Sequence, residues 1–281
     1  MATLPNPLPK LASDPSGRSL GLQLPPGRLI DATIDGPWPE PLLWHADKQA
    51  GPGTWAALGV PAGRAGLLPV LVETDLGSQG GPERWQLSPE YASYPGDHDA
   101  EEVLAEYWEG DGAEDDEEYG PDEELGELQS PFGPVWPGLA PAGSLTVDPG
   151  TCAARLADTL TDGSDAWFKD PRLALVPARR SADIPAAIGW SGPVNHDNDV
   201  ARLCAVLRSW EDRFGIRVVG LGFDTLAVSV AAPPTTLVDA EALAAEHFAF
   251  CPDNVTQSGV GSVGAYAKEL VGDSVWYFWW D

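Results

Sequence analysis

Residues 199–231 read DVARLCAVLRSWEDRFGIRVVGLGFDTLAVSVA, and this stretch decides the fold class. Val200, Leu203, Cys204, Leu207, Trp210 and Phe214 recur at helical spacing, which makes one face of a helix over 199–214 apolar. Asp197 to Asp199 supply caps at its start and Gly215 a stop at its end. Two short runs follow, Ile216 to Leu221 and Thr225 to Ala231. In the second, Leu226, Val228 and Val230 alternate with Thr225, Ala227 and Ser229. A turn around Gly222 and Asp224 joins them, so the pair predicts a β-hairpin.

Outward from this stretch the signals stay clear. RLALVP at 172–177 reads as a strand. Thr236 with Asp239 three residues on resembles a capping box that opens a helix to about Phe250, and a shorter helix over 262–271 follows. SVWYFWW at 274–280 reads as a strand apolar on both faces, suited to a covered position or to an aromatic contact surface. The order β-α-β-β-α-(α)-β predicts an α+β fold for this part: an antiparallel sheet with helices, a variant of the ferredoxin-like arrangement.

The N-terminal half differs in kind. Residues 1–149 hold 21 of the 28 prolines, and proline removes a backbone donor, so this half reads as a Pro-rich mixed α/β region of short segments and turns. Strands are expected over 28–34 and 67–73, a short helix over 54–58 opening from a Thr cap, and a helix over 148–160 with Cys152, Leu156 and Leu160 inward. Between Asp97 and Glu127 stand 16 acidic residues without one Lys or Arg, which reads as a solvated linker or loop whose first part, up to Trp108, has the makings of a short helix. The expected divisions are therefore an N-terminal domain over 1–96, an acidic linker over 97–128, a connecting segment over 129–170 and a C-terminal domain over 171–281.

Charge narrows the partners. The 281 residues carry a formal −27, of which −11 remains outside the acidic stretch. That balance argues against nucleic-acid binding, which needs clustered cations, and favours a basic protein partner steered in by the acidic segment. No apolar run has the roughly 20 residues of a membrane span, and three cysteines form no disulfide framework, so a cytoplasmic protein is expected.

Several motifs invite chemistry. GVGSVG at 259–264 matches GxGxxG, but it follows CPDNVTQS rather than a buried strand and reads as a turn into a helix capped by Ser262. His247 and Cys251 are four apart, and His196 with Cys204 would complete a two-Cys, two-His set. His247 and Cys204 lie on the apolar stripes of their own helices, however, so no metal and no cofactor is expected. Cys251 as a nucleophile with His247 as base would place a thiolate after a helix, where the dipole opposes it. The loop GWSGPVNHDND at 189–199 reads either as a capped turn or as a recognition loop with Trp190 as anchor and Asn195, His196 and Asp197 as polar contacts. Asp253 and Asn254 invite the same pair of readings, and Trp279 and Trp280 are candidate binding aromatics. Asn254-Val255-Thr256 is a formal glycosylation sequence without a secretion signal to give it meaning.

The stretches IGWSGPVNHDNDVARLCAVLRSWEDRFGIRVVGLGFDTLAVSVAAPP, AEHFAFCPDNV and YAKELVGDSVWYFWWD together resemble the bacterial family labelled domain of unknown function 4253, over about residues 172–281. The resemblance implies a C-terminal domain boundary, a source among the actinobacteria and a link to immunity-type proteins; it implies no catalytic residues. The reading as a whole is a non-catalytic binding module for a basic partner. Its alternative is a hydrolase-like enzyme that gathers His196, Asp197, His247 and Cys251 around a cleft.

Overall fold

Alternation along the strands builds a sheet with two buried faces. Val70, Val72, Ala174, Val176, Val218, Val228, Trp276 and Phe278 line one face, and Leu71, Leu173, Val219 and Ala227 line the other. The computed structural model describes residues 5–74, 80–110, 122–163 and 168–281, with the backbone alone for 122–124. In chain order the elements are α1 (Lys10–Ser13), β1 (Gly27–Ile30), β2 (Ala32–Thr33), β3 (Gly36–Pro37), β4 (Leu43–Ala46), α2 (Thr54–Arg64), β5 (Leu68–Val72), α3 (Ala100–Gly110), α4 (Asp122–Leu128) and α5 (Pro149–Thr161). The chain continues with β6 (Arg172–Val176), α6 (Ile184–Ile188), α7 (Val200–Phe214), β7 (Arg217–Leu221), β8 (Thr225–Ser229), α8 (Leu237–Phe250), α9 (Asp253–Thr256), α10 (Val263–Leu270) and β9 (Val275–Trp279).

The sheet has seven strands in the order β1-β4-β6-β5-β7-β8-β9, and β2 with β3 forms a separate small hairpin. Every neighbouring pair is antiparallel except β5 and β7, which run parallel with Leu71 opposite Gly220 and Val72 opposite Leu221. Helices α3, α7, α8 and α10 cover the face that carries Trp276 and Phe278, while α2 and α5 cover the other. Leu8, Leu11 and Leu22 close a third cluster over Trp44, Ala46 and Leu175. The class is thus mixed α/β with a mostly antiparallel sheet.

The capping signals match the helix starts. Asp199 accepts from Ala201 N, Thr236 from Asp239 N and Ser262 from Ala265 N, and Gly215 stops α7 at φ 63°. Two expectations need correction. The ferredoxin-like order fails because β5, from the N-terminal half, takes the place between β6 and β7 that β8 would hold, and β9 pairs with β8 rather than with β6. The same strand carries one sheet across the expected boundary at 171. The acidic stretch over 97–128 opens with the short helix expected up to Trp108, here α3, and closes with α4 where a linker or loop was expected; residues 111–121 lie outside the described ones. Its acids mask an apolar face of Val103, Leu104, Tyr107 and Trp108, all buried, with Trp108 edge-on to Phe248 at 5.7 Å. Smaller departures are a helix from Thr54 that runs on to Arg64 and opens from Gly53 without a side-chain cap, and a half-buried Cys152 flanking the stripe Ala153, Leu156, Ala157 and Leu160.

Candidate functional site

Helix α3 meets the start of α7 at a polar seam, and His196 and Asp197 lie in it. Tyr107, buried on α3, donates its hydroxyl to Asp197 Oδ2 at 2.5 Å, while Asp197 Oδ1 accepts from Asp199 N at 2.7 Å. Arg202 Nε lies 2.9 Å from Asp197 Oδ2, and its guanidinium sits 5.4 Å above the Tyr107 ring. The His196 ring packs on the same tyrosine at 4.5 Å between centroids. Burial, followed by the hydrogen bond to Asp197, pushes the Tyr107 phenol up. Asp197 Oδ2 therefore ties α3 to the start of α7, while Oδ1 orders the turn that leads into α7.

Two further residues of the seam escape a reading of the sequence. Ser93 Oγ lies 2.6 Å from His98 Nε2, and Asp199 Oδ2 lies 3.7 Å from that same nitrogen. Asp199 Oδ1 meanwhile accepts from Ser93 N and from Ala201 N, both at 3.0 Å. Serine and carboxylate approach one ring nitrogen, whereas a catalytic relay needs the carboxylate on the opposite nitrogen to orient the base. This arrangement acts as a latch that fastens the 93–98 segment to the cap of α7. Asp199 is legible as a cap, but nothing in the chain's spacing ties it to Ser93 and His98, about a hundred residues away.

The other candidates form a second network beneath β9. The Cys251 thiol donates to Trp279 O at 2.9 Å, and the Asn254 amide donates to Tyr277 O at 2.7 Å. With β8 on one side, these side chains serve outward carbonyls of the edge strand, a device that closes an edge to further pairing. Burial pushes the Cys251 thiol up, so it is no thiolate nucleophile. His247 Nδ1 lies 3.2 Å from Tyr266 Oη, and its ring is enclosed by Trp210, Trp276 and Phe278. Burial drives its pKa down to about 3, and the Arg213 guanidinium adds to the effect. His196, Asp197, His247 and Cys251 are thus divided between two networks, and they do not assemble as the hydrolase-like cluster requires. Among the described residues no three His, Cys, Asp or Glu side chains are placed to hold a metal ion.

Of the expected recognition residues, Trp190 and Trp280 turn inward, while Asn195 stays exposed and Asp253 and Trp279 are half-buried. Trp190 is buried, donates from Nε1 to Gly222 O at 2.9 Å and meets buried Trp280 edge-on at 5.6 Å. Asn195 donates to Asp281 O at 2.9 Å, and Asp253 Oδ2 accepts from Asp281 N at 3.1 Å, so both hold the segment after β9. Trp279 is half-buried and its carbonyl is taken by Cys251. A fully buried Glu246 is another residue that the sequence reading passed over. It accepts from Trp210 Nε1 at 2.7 Å, Ala140 N at 2.7 Å and Arg213 Nη1 at 2.8 Å. A charge three residues beyond Leu243, on the face of α8 that also carries buried Leu243 and Phe250, was its signal.

Those landmarks belong to one recognisable segment. Residues 172–281 match the family model described as Domain of unknown function (DUF4253). The match covers less than half of the chain and begins on the first residue of β6. The DUF4253 segment therefore contributes β6 to β9 but not β5, the strand between its first two. Within it, Trp190, Cys251 and Asn254 make the internal hydrogen bonds described above. No curated protein and no solved structure matches the chain.

Proposed function

We propose that the protein is a non-catalytic binding module that receives a basic protein partner on the outer face of α3. One observation carries this reading. Helix α3 is fixed on its inner side by Val103, Leu104, Tyr107 and Trp108, while Glu101, Glu102, Glu106 and Glu109 stand exposed in an ordered row. Glu106 is engaged by Arg202, and the others face solvent. An array of fixed like charges speeds encounter with a cationic surface and orients it on arrival. A cationic enzyme whose basic surface is covered in this way is the partner class that an immunity-type role implies. Free Cys152, Cys204 and Cys251 fit a reducing, cytoplasmic setting, and no helix among the described residues is long and apolar enough to cross a membrane.

The test is the binding of fluorescent hexalysine by anisotropy at low and high salt. Glu101→Gln/Glu102→Gln/Glu109→Gln is expected to weaken binding and flatten its salt dependence more than Asp31→Asn/Asp35→Asn/Glu40→Gln, which removes as many exposed charges elsewhere. Equal losses in the two triple variants would overturn the assignment to α3.

A further inference from the structure

A cavity of about 250 Å³ opens where the N-terminal half meets the DUF4253 segment. Trp38, Pro39, Pro41 and Leu42 line it from the stretch between β3 and β4, while Pro177, directly after β6, and Ala187, on α6, line it from the other side. Pockets for drug-sized ligands run to about 300–1,000 Å³, so this one suits a single side chain. Its walls are set before a guest arrives. Asn6, also in the lining, donates from Nδ2 to Pro41 O at 2.8 Å and accepts at Oδ1 from Leu8 N at 3.0 Å. Trp38 N donates to Asp31 O at 2.6 Å and Leu42 N to Ile30 O at 2.7 Å, and the three prolines restrict the backbone further. A preformed cavity lowers the ordering cost of binding.

Charge selects the guest. Among the described residues of the lining Glu40 alone is charged, and it is exposed. It belongs to a stretch, 29–46, that holds Asp31, Asp35 and Glu40 without one Lys or Arg. A neutral guest would strip water from that carboxylate and return nothing, whereas a cation replaces the lost hydration with a charge-assisted hydrogen bond. An ammonium is compact and strongly hydrated, which suits a wall of proline, leucine and tryptophan poorly. A guanidinium is planar and more weakly hydrated, so it can stack on an indole while its edge donates to a carboxylate.

We propose that this cavity receives one arginine side chain of a protein partner, with the guanidinium against Trp38 and its N–H edge toward Glu40. No residue of α3 lines the cavity, so the site stands apart from the reading of α3 as the basic partner's face. An arginine within a chain fits better than the free amino acid, whose own carboxylate would be left beside Glu40 and the neighbouring acids.

The experiment titrates the full chain with the N-acetyl methylamides of arginine, lysine and citrulline, followed by ligand-observed nuclear magnetic resonance. Lysine keeps the charge without the plane, and citrulline keeps the plane without the charge. The arginine probe is expected to bind about tenfold more tightly than either, and more tightly than free arginine. Glu40→Gln should bring arginine down to the level of citrulline, and Ala187→Leu, which fills the cavity, should remove the advantage of arginine over both controls. Near-ultraviolet circular dichroism checks that each variant keeps the native fold. Equal binding of arginine and either control, tighter binding of free arginine, or an unchanged arginine-to-citrulline ratio in Glu40→Gln would overturn the site. The reading of α3 would survive such a result, because hexalysine carries no planar group, whereas a failure of that reading appears in the glutamate variants of α3 instead.

Discussion

The DUF4253 segment and helix α3 use polar residues in opposite ways. In the segment, Cys251, Asn254 and Trp190 stand out in the sequence as site candidates while Glu246 does not, yet each of the four spends its hydrogen-bonding capacity inside the fold. In α3, a row of glutamates that looks like linker composition is mounted on a buried apolar face and left open to solvent. The difference teaches that residue type alone does not mark a site. What marks it is whether the side chain's partners are already supplied by the protein, because an unpaired buried polar group is costly and a satisfied one has little left to offer a ligand.

The comparison breaks most severely if the segment is cut away from the rest. Without β5, strands β6 and β7 each lose a neighbour, and Val70, Leu71 and Val72 vanish from both faces of the sheet. Residues 171–281 alone are expected to lack the near-ultraviolet circular dichroism and the cooperative urea transition of the full chain. A transition at the same midpoint would show that the inward network is self-sufficient. Next in size is Glu246→Ala. It strands Arg213 and Trp210 Nε1 in the interior, and the loss of one partner of a buried ion pair costs about 3–5 kcal/mol. Urea unfolding of the full-length variant measures it, and a loss under 1 kcal/mol would mean that Glu246 is not the hub of that network.

How much of this was legible follows the same contrast. Helix α7, the hairpin of β7 and β8, and the caps Asp199, Thr236 and Ser262 were readable because spacing and capping are local. Strand β4 was missed: Leu43–Ala46 is four buried residues with no alternation, which periodicity cannot separate from a stretch of apolar loop. Beyond that hairpin the sheet order was not legible, since the pairing of β5 with β6 and β7 joins residues about a hundred or more positions apart. For the seam, Asp197 and His196 were singled out by their polar turn, but Tyr107 and His98 were hidden in a stretch judged by its charge.

Acidity sharpens the comparison through His247. Its pKa is about 3 in the fold and returns to the ordinary value near 6.5 when the chain unfolds, so the unfolded state takes up the proton first. The associated stability is fully present above pH 6.5 and falls by about 1.4 kcal/mol per pH unit as pH drops toward 3. Between pH 6.5 and 4.5 the native chain should therefore lose about 2–3 kcal/mol more than His247→Gln. Parallel pH profiles for the two proteins would exclude His247 as the titrating group. The edge cap of β9 comes next. Asn254→Ala removes the donor to Tyr277 O and should cost about 1–3 kcal/mol, while Cys251→Ser keeps a donor toward Trp279 O and should cost less.

The smallest expected effect is on the other side of the comparison, and it is the most informative. Glu101, Glu102 and Glu109 are exposed, and exposed groups without a structural partner contribute within about 0.5 kcal/mol. Glu101→Gln/Glu102→Gln/Glu109→Gln should therefore leave the urea midpoint within error of the native protein, or raise it slightly as repulsion along the helix is relieved. Glu106→Gln belongs to a different class because it also breaks the contact with Arg202 across the seam. If the triple variant destabilises the protein as much as Asn254→Ala does, the glutamates are structural and α3 resembles the DUF4253 segment after all. If stability is unchanged while hexalysine binding falls, the charges are spent on nothing inside the molecule, and a partner outside it is what they serve.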